Sequence, residues 1–301
     1  SLKNNKIKII LVEIIFNDYY EKYFTFSDIE KYLIPNNFRM VGIDLMNNNI
    51  LKGSLFGADV YYFNKNYFKI WMRKVILIPT RINSKRLPAK ALLPINKLPL
   101  IIHVYRRAKL SKKVDDVIIC CDEKKILTAA KKFGAKALLT SKHHTNGTER
   151  ICEAYKKIGK NYKLVIDVQG DEPLVSPAHI DKVISFHLKN LDADIVLPNL
   201  KLKTGNNTNI VKVVTNKNNE VLYLSRANIP YEFKEQNKYI KKHLSVISFK
   251  PDALIKFAKA EKSSLEKIED VELLRALDIG LKVKTINLTG DSFSIDVFED
   301  Y

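Results

Sequence analysis

Apolar positions follow two regimes along the chain. Over residues 6–64, short β-branched and aromatic runs predominate, and KIKIILVEIIF at 6–16, RMVGI at 39–43 and ADVYYFN at 58–64 read as strands. Between the first two, Thr25-Phe26-Ser27-Asp28 supplies an N-cap for a short helical pattern that ends near Pro35. From Lys74 onward, strand-like runs alternate regularly with amphipathic stretches: VILIPT, PLIIHVYRRAKL, DVIICC, KKILTAAKKF, LVIDVQ, then a helix from Pro177. Such alternation predicts an α/β fold, a three-layer α/β/α (Rossmann-like) sandwich over 73–301 preceded by a small α/β segment over 1–72. A hairpin at 210–224, turning through NKNN, interrupts it and predicts a β-rich substrate-side or dimerisation insertion. Residues 265–277 read as one amphipathic helix whose stripe, Leu265, Ile268, Val271, Leu274 and Leu277, is expected in the core.

Ligands of such folds collect beyond the carboxyl ends of strands, so the informative loops are those after Pro79, Cys121 and Val168. The first contains Arg81, Lys85, Arg86 and Lys90. Arginine offers a bidentate fork and lysine a point charge, a mixture suited to a triphosphate whose leaving group must be stabilised. The third, Val168-Gln169-Gly170-Asp171-Glu172-Pro173, is an acidic turn after an apolar strand, where a carboxylate can ligate a hard cation such as Mg²⁺.

Composition narrows the classes. The formal charge of +18 is spread among asparagines and isoleucines, without the block or helical stripe of a nucleic-acid binder. Part of it can favour the approach of polyanionic ligands. Cys120, Cys121 and Cys152 have neither metal-ligand spacing nor the layout of a disulfide framework, and they read as reduced core residues. No apolar stretch reaches membrane-spanning length and no signal-peptide layout opens the chain, so a cytoplasmic enzyme is expected, with no membrane partner.

The loop Pro79–Lys90 resembles the nucleotide-binding signature of sugar-acid cytidylyltransferases, "IPAR..S.RLPGKPL". Further likenesses follow in the family's order. Cys121-Asp122 is similar to its "TD", TSKHHTNGTER at 140–150 to "T...H.SGTER" of the 3-deoxy-manno-octulosonate (Kdo) branch, and 168–173 to "QGDEP". Tyr223–Tyr231 resembles "LYFSRA.IP", Lys242-His243-Leu244 "KHLG", 265–277 "LE..E.LEQLRAL", and Ile295–Asp300 the metal motif "VDTPEDL" without its proline. The resemblance implies a nucleotidyltransferase fold, a homodimer, and transfer of CMP from CTP to Kdo or 8-amino-Kdo for lipopolysaccharide precursor synthesis, with release of pyrophosphate. It places Arg81, Arg86 and Lys90 on CTP phosphates, and Mg²⁺ on Asp171 and Asp296. Asp122, Thr140, Thr148, Glu149 and Arg150 would serve base and sugar recognition, and Gln169, Arg226, His243 and Glu272 the sugar acid.

Departures cluster on the sugar side. Ser245 and Phe249 replace a glycine and a tyrosine of the family, and Leu273 a glutamine, so Kdo, 8-amino-Kdo and related nonulosonates stay open. Ala89 replaces the usual glycine and would be strained at positive φ. The chain stops shortly after Asp296, without the family's final helix, which is expected to weaken stability or the metal site. An acylneuraminate-type or other nonulosonate cytidylyltransferase, and a non-catalytic nucleotide-binding relic, are the competing readings.

Residues 1–72 resemble the C-terminal end of FkbM-family methyltransferases, through Glu13, Phe26 to Leu33, Phe38 and Asp59 to Asn64. With the cofactor-binding strands absent, this segment is not expected to transfer methyl groups. An accessory segment packed on the main domain is the other reading. Ser1 is not an initiator methionine, whereas Met72 stands where an independent start is expected.

Overall fold

The computed structural model describes residues 7–15, 25–46, 57–65, 73–84, 86–159, 161–203, 207–235, 239–290 and 292–301. The chain divides into two compact units, 1–72 and 73–301.

In the first unit, β1 (Ile9–Ile15), α1 (Phe26–Leu33), β2 (Phe38–Met46) and β3 (Gly57–Asn64) form an antiparallel sheet of order β1-β3-β2 with one helix. Thr25 starts α1 as expected. Its hydroxyl accepts from Asp28 N at 3.3 Å, and its own N–H donates to the Asp28 carboxylate at 3.1 Å, closing a reciprocal cap. Alternate residues Ala58, Val60 and Tyr62 of β3 bury against Leu33 and Phe38, the period-2 pattern of a strand with one covered face.

The second unit runs β4 (Lys74–Thr80), the small hairpin β5 (Pro94–Ile95) and β6 (Leu98–Pro99), α2 (Leu100–Ala108), β7 (Asp116–Cys121), α3 (Lys124–Lys132), β8 (Ala137–Leu139), α4 (Gly147–Ile158), β9 (Leu164–Val168), α5 (Pro177–Lys189) and β10 (Ile195–Lys203). Strands β11 (Lys212–Thr215), β12 (Val221–Ser225), β13 (Tyr239–His243) and β14 (Val246–Phe249) follow, then helices α6 (Pro251–Lys259), α7 (Ser264–Glu269) and α8 (Leu273–Asp278), and finally β15 (Val283–Leu288). Ten of these strands share one sheet of order β12-β11-β13-β10-β14-β9-β4-β7-β8, with β15 beside β10. β9, β4, β7 and β8 are mutually parallel, and β14 and β13 enter antiparallel.

Both faces are covered. Ile76 and Ile78 of β4 pack with α2, α3 and α5, whereas Val75 and Leu77 pack with α4 and α6. Strands buried on two faces read as continuous apolar runs, which is why VILIPT and DVIICC carry almost no polar residue. The hairpin expected at 210–224 forms as β11–β12.

The single helix expected over 265–277 does not. Asp270 adopts φ 51°, ψ 46°, and this left-handed residue splits the segment into α7 and α8. The break resets the helical phase. Ile268 is therefore 79% exposed and Leu265 39%, whereas Val271 and Leu274 are buried. Glu266 goes inward instead, held by Arg275 through two hydrogen bonds of 2.7 and 2.5 Å.

Candidate active site

The carboxyl ends of β4 and β9 open into a cavity of about 530 Å³. Its floor depends on a close approach. A Cβ on Gly170 would lie 2.7 Å from the Pro79 carbonyl oxygen, so only glycine lets the turn after β9 pack against the end of β4.

Ala89 adopts φ 54°, ψ 26°, the left-handed conformation in which an alanine is strained. From there the chain enters a 3₁₀ turn, Lys90–Leu92. Lys90 donates at 2.8 Å to Asp171 Oδ2 and to the Ile295 carbonyl, with Asp296 Oδ1 at 3.4 Å. Arg86 reaches the same Asp296 oxygen at 2.8 Å. Arg81 and Ser84 also line the cavity; Lys85 lies outside the described residues. The loop is tied to its neighbour strand by Asp122, whose carboxylate accepts from Ile82 N at 3.0 Å.

The N-terminus of α4 forms another wall. Asn146 caps it, accepting from Glu149 N at 2.8 Å, while the Glu149 carboxylate accepts from Thr145 N at 3.0 Å and Asn146 Nδ2 at 3.0 Å. Thr148 donates to Glu272 Oε2 at 2.7 Å, and Arg150 to Thr140 Oγ1 at 2.7 Å. Thr140 in turn donates to the Cys121 carbonyl at 3.1 Å, with Arg150 also 3.8 Å from Asp122. Burial pushes the Glu272 carboxyl up, and it pushes Glu172 up to about 7.

Of the residues singled out from the sequence, Arg81, Arg86, Lys90, Arg150, Gln169, Asp171, Glu272 and Asp296 line this cavity. Asp122, Thr140, Thr148 and Glu149 brace it through the hydrogen bonds above. Arg226 and His243 do not line it. Arg226 is spent on backbone oxygens, those of Glu269 at 2.9 Å, Asp270 at 3.1 Å and Thr208 at 3.2 Å. His243 is half-buried at the end of β13, with its Nδ1 buried and without a hydrogen bond, and desolvation pushes its pKa down to about 4.

Sequence reasoning passed over His144, Thr145 and Asn146, which line the cavity between Thr140 and Thr148. His144 Nε2 contacts Glu153, one turn into α4, which fixes the ring at the cavity wall. A polar residue just ahead of a capped helix was the available signal. Asp167 was also missed, although it is the only polar residue of the strand LVIDV.

What this arrangement can do is set by charge. Cations from the loop after β4 meet two carboxylates that converge from 81 and 206 residues downstream of Lys90. Such a site can hold a polyphosphate and neutralise charge that develops on it.

Known proteins resemble this chain in sequence and fold. The sequence model of the family described as Cytidylyltransferase matches residues 75–286. A 3-deoxy-manno-octulosonate cytidylyltransferase of Thermodesulfovibrio yellowstonii is 39% identical over 243 residues, 76% of this chain and 95% of its own. An 8-amino-3,8-dideoxy-manno-octulosonate cytidylyltransferase of Shewanella baltica is 37% identical, over 76% of this chain and 96% of its own. Among solved structures, a CMP:2-keto-3-deoxy-manno-octonic acid synthetase complexed with CTP superposes with a TM-score of 0.71 at 29% identity, covering 75% of this chain and 93% of that one. The family model spans most of residues 73–301 and the relatives are more than a third identical over that region, so this chain belongs to the cytidylyltransferase family.

Proposed function

We propose that residues 73–301 transfer CMP from CTP to the anomeric hydroxyl of Kdo or 8-amino-Kdo, releasing pyrophosphate, as a step toward lipopolysaccharide precursors. The observation that carries this reading is the convergence of Arg86, Lys90, Asp171 and Asp296 at one end of the cavity that Gln169 and Glu272 also line. The anomeric oxygen gives its proton to solvent and bonds to the α-phosphorus as the bond from that phosphorus to the β-phosphate bridging oxygen breaks. Arg81, Arg86 and Lys90 offset the negative charge left on pyrophosphate. Glu272, oriented by Thr148, and Gln169 accept from sugar hydroxyls. Asp122, Thr140, Glu149 and Arg150 shape the wall against which the nucleotide rests.

The donor set suits Mg²⁺. Asp171 and Asp296 already converge on one cationic group, the Lys90 ammonium, and among the described residues no cluster of three or more metal-binding side chains competes with them. An ion that keeps waters and phosphate oxygens needs only one or two protein carboxylates. When bound there, Mg²⁺ supplies positive charge to the phosphate oxygens. Arg226 and His243 are left to structural roles. A homodimeric, cytoplasmic enzyme is in keeping with this reading; among the described residues, no helix is long and apolar enough to cross a membrane.

Pyrophosphate release from CTP and Mg²⁺ with Kdo, 8-amino-Kdo and N-acetylneuraminate in parallel tests the proposal. Release with one of the first two names the substrate, and release with N-acetylneuraminate alone moves the enzyme to another branch. Silence with all three, in a folded protein that binds CTP, rejects catalysis. A shortened protein beginning at Met72 is expected to match the full chain, since every residue named above lies in the second unit.

A further inference from the structure

Strand β9 carries a carboxyl where its neighbours carry hydrocarbon. Asp167 is 1% exposed, and its register partners on the flanking strands are Leu77 and Ile247. Its Oδ2 accepts from Gln169 Nε2 at 2.8 Å, whereas Oδ1 is buried without a hydrogen bond. A half-satisfied acid in a core costs stability that an apolar residue of similar size would not. What the acid does in return is hold one side chain, and that side chain lines the cavity.

A glutamine amide can turn either its oxygen or its NH₂ toward a ligand, and a site that reads hydroxyls must fix which. With Nε2 committed to Asp167, Oε1 is the end left for the cavity. That wall also carries Glu272, and oxygen acceptors there repel phosphate and favour a polyol. We propose that Asp167 is a positioning residue that locks the Gln169 amide with its oxygen toward the cavity, as acceptor for a hydroxyl of the sugar acid; this rests on the reading of the site given above. The lock is indifferent to charge. Burial raises the Asp167 carboxyl well above the usual carboxylate range, with the Glu272 charge adding to it. A proton bound there would sit on Oδ1, because Oδ2 keeps its lone pair on Nε2.

The test compares Asp167→Val, which removes the acceptor, with Asp167→Asn, which retains one at the same place, each alone and combined with Gln169→Ala. Asp167→Val is expected to raise the sugar-acid KM about tenfold, the scale of one lost orienting contact, with the CTP KM within about twofold. Asp167→Asn restores the sugar-acid KM. In the Gln169→Ala background, Asp167→Val adds nothing. Equal shifts of both KM values, or additivity with Gln169→Ala, overturn the proposal. If Asp167→Val does not fold, Asp167→Ala carries the same expectations.

Hydrogen exchange of the ¹⁵N-labelled Gln169 side-chain amide, without substrate, separates this proposal from the assignment of function. Protection in the wild type and Asp167→Asn, lost in Asp167→Val, supports the lock even if no sugar acid is turned over. Equal exchange in all three rejects it even if one is.

Discussion

The ammonium of Lys90 donates to the Asp171 carboxylate at 2.8 Å, joining the loop that follows β4 to the turn that follows β9. Lys90 compensates two carboxylates, and in the proposed reaction it also offsets the charge of the departing pyrophosphate. Lys90→Met is therefore expected to lower kcat/KM by about 10²–10³, the scale of one lost oxyanion partner. Its partners are partly exposed, so the loss of stability should be only about 1 kcal/mol. Steady-state kinetics beside urea unfolding separates the effects, and an inactive variant that is also unfolded would remove the catalytic argument.

Ala89 supplies a gain. Its φ of 54° puts a Cβ where L-residues lose about 1–2 kcal/mol, although glycine also frees the unfolded chain. Ala89→Gly should raise stability by about 0.5–1 kcal/mol, a Tm shift of about 1–4 °C for a unit of this size. A lower Tm by calorimetry would show that the turn does not bear the strain.

Gly170 predicts the opposite. In Gly170→Ala the new methyl meets the Pro79 carbonyl at 2.7 Å, Ile101 Cδ1 at 3.2 Å and Thr80 Cβ at 3.3 Å, and the first of these is backbone that cannot swing away. A loss of about 1–3 kcal/mol is expected, with displacement of Asp171 and a rise in the KM for CTP. Unaltered CTP kinetics would detach the turn's position from phosphate binding.

Acid sensitivity follows from His187, fully buried at the end of α5, where Nδ1 accepts from Ser248 Oγ at 2.8 Å and Nε2 donates to the Ala193 carbonyl at 3.2 Å. Burial depresses its pKa to about 4, from an ordinary value of 6.5. The unfolded chain thus binds the proton first, and stability present above pH 6.5 is lost as pH falls through about 4. Unfolding free energies from urea titrations at pH 7.5 and 5 should differ by less in His187→Gln than in the wild type, by up to about 2 kcal/mol. Equal differences would assign the acid sensitivity elsewhere, with His243 the next candidate.

Much of this was legible before any coordinates. Period-2 and period-3.6 patterns located the alternating strands and helices, because both-face burial leaves unbroken apolar runs. The loops after Pro79 and Val168 were found for the same reason, since their charges stand out against those runs. The helix break at Asp270 was not legible. The apolar stripe over 265–277 points to one helix, and nothing local in it announces either the left-handed Asp270 or the buried Glu266–Arg275 pair, which is made through space. Arg226 shows the limit from the other side, because its motif says nothing of the Glu269 and Asp270 carbonyl oxygens that the guanidinium ties down.

The contacts that close the cavity also set its timetable. Lys90 waits for Asp171, 81 residues later, and for Ile295 and Asp296, 205 and 206 residues later. At ribosomal speeds of about 5–20 residues per second, that interval is about 10–40 s. A nascent chain that has passed β9 holds the basic loop and one carboxylate but lacks the second. The site therefore stays open until residue 296 has been made, and CTP meets a complete cavity only when β15 and the segment after it have docked.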